Sequence, residues 1–187
     1  MQLFDQAFIG DFLLRYLHIL VGIAWIGLLY YFNLVQVPAL AAYGDEGKAR
    51  MITLDKVARR ALWWFRWAAI ATLGTGLLIT GIVENYWSRS GDAHKYTISI
   101  GMTLGTLMAA NVWMIIWKNQ KVVLANAVNV IGGAAADPAA AGAGRKALLA
   151  SRQNFIFSFS MLWFMVGPAH FYPAAFPNAT SSNAMTL

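Results

Sequence analysis

Residues 12–37, FLLRYLHILVGIAWIGLLYYFNLVQV, form a long apolar stretch that is interrupted near its start by Arg15 and His18. About 20 apolar residues are enough for a helix to cross the hydrocarbon core of a bilayer. Three further apolar stretches follow at about residues 61–83, 97–117 and 155–172. The pattern predicts an all-α integral membrane protein, in which residues 1–187 form one four-helix bundle with a flexible linker at about residues 130–144.

The composition agrees with a membrane protein and excludes several kinds of redox centre. Hydrophobic residues make up 59% of the chain and charged residues 12%, against roughly 25% charged residues in a soluble domain. Cysteine is absent, which excludes disulfides, thiolate metal sites, iron–sulfur clusters and the covalent attachment of a c-type haem. A redox cofactor in this chain would therefore be held by histidine or methionine and by packing.

The basic residues predict the orientation of the bundle. Ten of them lie in the two loops that follow the first and third apolar stretches: Lys48, Arg50, Lys56, Arg59, Arg60, Lys118, Lys121, Arg145, Lys146 and Arg152. Basic loops stay on the cytoplasmic side of a membrane. We therefore expect both termini outside, in a bacterial inner membrane. The net charge of +6 then reflects anionic lipid headgroups, and we expect no nucleic-acid partner.

Two histidines lie inside predicted spans, His18 in the first and His170 near the end of the fourth. An ionisable side chain within a membrane is costly, so it marks a candidate functional site. In an up-and-down bundle the first and fourth helices are neighbours, and both histidines would lie near the outer face. Three hypotheses follow: a b-type haem ligated by both histidines, a haem ligated by one of them, or no cofactor and two histidines bonded to backbone and water.

Several other residues in or near the predicted spans have candidate roles. Arg15 precedes His18 by about one turn, where it would pair with a haem propionate or act as an interfacial anchor. Gly101 and Gly105 form a GxxxG pair that favours close helix packing and that would also leave space for a flat cofactor. We expect Asn33 and Asn111 to connect helices.

Several motifs resemble the N-terminal membrane region of the PuuD-type urate oxidase family. They are the run from His18 to Asn33 (HILVGIAWIGLLYYFN), QVPA at 36–39, NVW at 111–113, WKNQK at 117–121, RQN at 152–154 and HFYP at 170–173. More distantly, a histidine followed by tryptophan and glycine on the first helix resembles four-helix membrane proteins that bind b-type haem. The resemblance implies a helical bundle, with His18 and His170 as the carried-over haem ligands. Full-length members of the urate oxidase family continue into a c-type cytochrome domain.

The expected function is a b-haem electron-transfer module with its haem near the periplasmic face. Its partners would be the lipid bilayer and either a larger membrane complex or a periplasmic c-type cytochrome. The alternative is a structural subunit that packs against a large membrane enzyme without a cofactor. A membrane oxidoreductase similar to urate oxidase is a third hypothesis.

Overall fold

The computed structural model describes residues 7–83, 86–87 and 92–170 of the 187-residue chain. These residues form four long helices, which we number α1 to α4, so the predicted all-α class is confirmed. Glu84, Arg89 and the C-terminal tail lie outside the described residues.

The first two helices each combine α-helical and wider π-helical segments without a break. Helix α1 contains Ala7–Leu13 (π), Leu14–Tyr30 (α), Tyr31–Gln36 (π) and Val37–Ala42 (α). Helix α2 contains Gly47–Thr53 (α), Leu54–Ala58 (π) and Arg59–Ile82 (α). A tight turn at residues 43–46, with Gly44 at a φ of 50°, reverses the chain between them.

In the second pair of helices, α3 again combines α- and π-helical segments and is the longer of the two. Helix α3 contains Asp92–Asn111 (α), Val112–Ile116 (π) and Trp117–Ile131 (α). Helix α4 is α-helical over Ala139–His170. At 1.5 Å per residue, the 38 residues of His94–Ile131 span about 57 Å, well beyond the roughly 30 Å of a hydrocarbon core. A helix of this length would extend past a hydrocarbon core. We call the end of the bundle that carries most of the basic residues the basic end.

Three stretches among the described residues are long and apolar enough to cross a membrane: Leu14–Ala42, Gly47–Ile82 and His94–Ile131. They contain the first three predicted spans, apart from two residues at the start of the first and one at the end of the second. The fourth predicted span begins inside α4, and its last two residues lie outside the described part of the chain.

The linker predicted at about residues 130–144 is too long at both ends. Helix α3 continues to Ile131 and α4 begins at Ala139, which leaves a loop of residues 132–138. The Asp137 carboxylate accepts a hydrogen bond from the Ala139 backbone N–H at 2.8 Å, and so caps the new helix. The alanines that suggested low complexity are also the strongest helix formers.

Packing is closest within two antiparallel pairs, α1 with α2 and α3 with α4, and the expected contact between α1 and α4 is present. Trp25, Leu29, Phe65 and Met108 are among the fully buried side chains of the core between the pairs. Because every helix contributes apolar side chains to this core, the bundle is held together mainly by apolar packing.

Buried amides connect the helices, as expected for Asn33 and Asn111. Asn33 Nδ2 donates to Ser151 Oγ at 2.9 Å, which joins α1 to α4. Asn111 Nδ2 donates to Asn154 Oδ1 at 2.9 Å, and Asn154 Nδ2 donates to the Met108 carbonyl at 3.0 Å, which joins α3 to α4. Asn154 is 1% exposed, so these bonds form where water cannot compete for them.

Candidate functional site

His18 lies on α1, and its ring faces α2. Its Nδ1 is 3.0 Å from Thr75 Oγ1, and the side chain is only half-buried. The bond crosses the α1–α2 interface in the half of the bundle farther from the basic end. Polar groups within a bundle of this kind are stabilised by such bonds between helices.

The hydroxyl of Thr75 favours one of the two neutral tautomers of His18. Thr75 Oγ1 donates its one hydrogen to the Ala71 carbonyl at 2.7 Å, with the Thr72 carbonyl at 3.1 Å sharing it. The oxygen is therefore left as an acceptor towards His18. This arrangement favours the tautomer of the neutral imidazole that carries its proton on Nδ1 and its lone pair on Nε2. That tautomer is the one in which Nε2 is ready to bind a metal.

A glycine on α2 makes room for the ring. A Cβ atom at Gly76 would be 3.2 Å from His18 Cε1 and 3.6 Å from Nδ1, which is too close for a relaxed contact. One turn before Gly76, the Cγ2 atom of Thr72 would be 3.9 Å from a Cβ atom placed at Gly22 on α1. The small residues therefore bring α1 and α2 together and hold the imidazole against the backbone of α2.

Arg15 lies near the same end of α1, and its guanidinium Cζ is 5.9 Å from the centre of the Tyr86 ring. This distance permits a cation–π interaction. Burial raises the pKa of the Tyr86 hydroxyl, an effect that the nearby Arg15 charge partly offsets. The cation therefore lies over a neutral phenol, about one turn from His18.

The approach of His18 to His170 stays a prediction. His170 is the last residue of α4 that the structure describes, and its side chain lies outside the described residues. The contacts described between α1 and α4 are nearer the basic end, where the rings of Tyr30 and Phe155 are 5.0 Å apart and Tyr30 Oη accepts from Ser158 Oγ at 3.1 Å. In the described residues no group of three or more His, Asp or Glu side chains is placed to hold a metal ion by itself.

Several contributors were missed in the sequence. Thr75 and Gly76 are ordinary helical residues, and only the register of α2 against α1 brings them to His18. The guanidinium Cζ of Arg66 is 3.8 Å from the centre of the Trp117 ring, a distance that permits a cation–π interaction. Trp25, two turns from His18, is 2% exposed and belongs to the core.

Fold and site together define a helical bundle with three described stretches able to cross a membrane by length and composition, and with one imidazole hydrogen-bonded between two of its helices. A model of the urate oxidase N-terminal family matches residues 90–186, just over half of the chain. The chain belongs to this family. The matched range contains α3 and α4, whereas the motifs around His18 precede it. No curated protein and no solved structure matches the chain, and none of these comparisons supports the more distant resemblance to b-haem membrane proteins.

Proposed function

We propose that the chain is a membrane-embedded redox module that binds one b-type haem, with His18 Nε2 as an axial ligand and His170 as the second. The observation that carries the proposal is the hydrogen-bond network of Thr75. It favours the tautomer of His18 in which Nε2 carries the lone pair that a metal ion needs. Metal-binding histidines usually donate their other N–H to an acceptor in this way.

The residues around His18 fit such a group. Haem would supply one-electron transfer between partners. Thr75 orients the imidazole, Gly76 leaves it room beside α2, and Arg15 offers a cation about one turn away for a propionate. Because the chain has no cysteine, the group would be held without thioether bonds to the chain.

The proposed partners follow from this location. We propose a bacterial inner membrane as the site of the protein, with both termini and the His18 half of the bundle on the periplasmic side. Electrons would then pass to a periplasmic c-type cytochrome or within a larger membrane complex. The first test is a visible spectrum of the purified protein before and after dithionite, in which a reduced b-type haem should give a sharp α band. A purified, folded protein without this band would contradict the proposal.

The orientation can be tested by labelling single cysteines, because the native chain has none. Cysteines at residues 134–138, in the exposed loop before α4, should react with an impermeant maleimide only after the cells are permeabilised. The same holds for residues 44–48. Cysteines at residues 88–91 and 174–187 should react in intact spheroplasts. The opposite pattern would move His18 to the cytoplasmic side and exclude a periplasmic cytochrome as partner.

A second candidate function is supported by the family itself. Membership of the urate oxidase N-terminal family favours urate as the electron donor of the assembly in which this chain takes part. Anaerobic addition of urate to oxidised protein in its native membranes should then produce the reduced α band. Reduction by dithionite without any reduction by urate would reject urate as the donor and leave the haem proposal standing.

A further inference from the structure

A cavity of about 630 Å³ lies at the basic end of the bundle. Its volume is within the range of about 300–1,000 Å³ that is typical of small-molecule sites. All four helices line it, together with the loop before α4, and most of the lining is apolar, including Phe32, Leu62, Phe65 and Ile116. Gln36, which also lines it, is 18 residues from His18, or about 27 Å along α1. The cavity is therefore separate from the proposed haem site.

Gln36 is a buried polar side chain without a complete set of partners. It is 9% exposed, and its Oε1 accepts no hydrogen bond. One turn earlier on α1, the Oδ1 of Asn33 also lacks a donor. Buried acceptors are normally paired, so an unpaired one at a cavity wall indicates a missing donor. The side chain of Gln36 is thus in place to receive an O–H or N–H group from a molecule inside the cavity.

The backbone is irregular around the same cavity. One π-helical segment from each of α1, α2 and α3 contributes to its lining, through Gln36, Leu54 and Ile116 respectively. Such wide turns are rare and are frequently found at functional sites. Their convergence on one space distinguishes this cavity from an ordinary packing gap between helices.

The charges at the cavity favour an anion. Arg50 and Arg145 line it, whereas Asp137 is the one carboxylate among the described lining residues. That carboxylate already accepts the Ala139 N–H at the start of α4, where the positive end of the helix dipole offsets its charge. The lining therefore carries an excess of positive charge towards the open, basic end.

The antiparallel pairing of α1 and α4 gives the spacing between the cation and the acceptor. Ser151 is bonded to Asn33, so the two residues lie at the same level of the bundle. Arg145 is six residues before Ser151, and Gln36 is three residues after Asn33 on the antiparallel helix. Arg145 therefore lies about three residues, or roughly 5 Å, nearer the basic end than Gln36.

We propose that this cavity binds an amphipathic anion. Its acidic group lies near Arg145 and Arg50, and a hydroxyl group roughly 5 Å further in donates to Gln36 Oε1. Its apolar body fills the space against Phe32 and Phe65. A membrane lipid or a soluble metabolite of this build satisfies the same requirements. The proposal is independent of haem binding at His18.

The test uses two probes that differ in one hydroxyl group, myristate and 3-hydroxymyristate. Equilibrium dialysis of each labelled probe against the full chain in lipid nanodiscs, with empty nanodiscs as the background, measures the two affinities. We expect saturable binding, with the hydroxylated probe binding about five- to tenfold more tightly because of one extra buried hydrogen bond. Gln36→Leu should remove this preference while keeping the volume of the side chain.

Matched variants test the charge and the place of binding. Arg145→Gln should weaken both probes by the same factor, whereas Lys146→Gln, which alters an exposed neighbour outside the lining, should change neither. Ala140→Trp should fill the cavity and abolish saturable binding. Binding that does not saturate, or that is the same in wild type and in Ala140→Trp, would overturn the proposal and leave a cavity that holds water only.

Mass spectrometry of an organic extract from the purified protein distinguishes the two sources of the ligand. A stoichiometric acidic lipid that is depleted in Ala140→Trp assigns the cavity to the membrane. An empty extract from a protein that still binds 3-hydroxymyristate with the stated preference assigns it to a soluble amphiphile. Helical content measured by circular dichroism confirms that each variant is folded before its binding is interpreted.

Discussion

His18→Ala should remove essentially all haem from the purified protein and, with it, the α band of the reduced spectrum. The reason is that Nε2 of His18 is the proposed axial donor, and no other described side chain around it replaces that donor. Haem content measured by the pyridine haemochrome method and the reduced-minus-oxidised spectrum give the result directly. His94→Ala, at a histidine on α3 that the proposal does not use, is the matched control and should leave both measurements unchanged.

Two more variants separate the three hypotheses for the histidines. Thr75→Val keeps the shape of the side chain but removes the acceptor for His18 Nδ1, and it should weaken haem binding about 10–100-fold. His170→Ala should convert a six-coordinate low-spin spectrum into a five-coordinate high-spin one if both histidines ligate iron. An unchanged low-spin spectrum in His170→Ala would exclude His170 as a ligand, and full haem content in both histidine variants would reject the site.

The same residues distinguish an electron-transfer role from a structural one. A protein carrying both His18→Ala and His170→Ala should assemble into its membrane complex and yet lose turnover, because only the electron path is interrupted. Native gel electrophoresis reports assembly, and oxidation of the electron donor reports turnover. Unchanged turnover in the assembled complex would instead assign the chain to the class of structural subunits.

Gly101→Ala should destabilise the bundle by about 1–3 kcal/mol, the usual cost of inserting a methyl group into a tightly packed interface. A Cβ at Gly101 would be 3.1 Å from the Phe164 carbonyl carbon and 3.2 Å from the Met165 nitrogen. Because these are backbone atoms of α4, rotation of a side chain cannot relieve the contact. Thermal unfolding in detergent, followed by circular dichroism at 222 nm, measures the loss.

Two other glycines provide controls in which replacement by alanine should cause no loss of stability. A Cβ at Gly81 meets nothing within 4 Å, so Gly81→Ala should stabilise α2 by about 0.5–1 kcal/mol through its better helix propensity. Gly105 has ordinary contacts, at 3.8 Å from Met165 Cε, and its replacement by alanine should be close to neutral. Similar losses for Gly101→Ala and Gly81→Ala would show that α3 and α4 are not packed at Gly101.

The helices themselves are largely predictable because their apolar stretches are long and continuous. Residues 12–37, 61–83 and 97–117 fall within or close to the three stretches that can cross a membrane. The parts of the helices outside the predicted spans were predicted less well. Residues 139–144 lie in the predicted linker but form the first turns of α4, where the Asp137 carboxylate accepts the Ala139 N–H. Alanine is a strong helix former, so the composition of this segment agrees with a helix.

In the candidate site, too, one residue could be predicted from the sequence and its partners could not. His18 could be selected from the sequence alone, because an ionisable group in an apolar span is costly and seldom incidental. The hydrogen-bond partner of His18, Thr75, was not predictable from the sequence. Thr75 and Gly76 are one threonine and one glycine among several in α2, and nothing local distinguishes them from Thr80 or Gly74.

The sequence by itself therefore determined the class of the protein, the number of its helices and the identity of its unusual polar residues. These follow from composition and from the length of apolar segments, which act along one stretch of chain at a time. The tertiary structure alone decided that His18 meets Thr75 on α2, that Gly101 meets the backbone of α4, and that three π-helical segments surround one cavity beside Gln36. Each of these depends on the rotation and register of one helix against another, which the summed packing of the whole core sets.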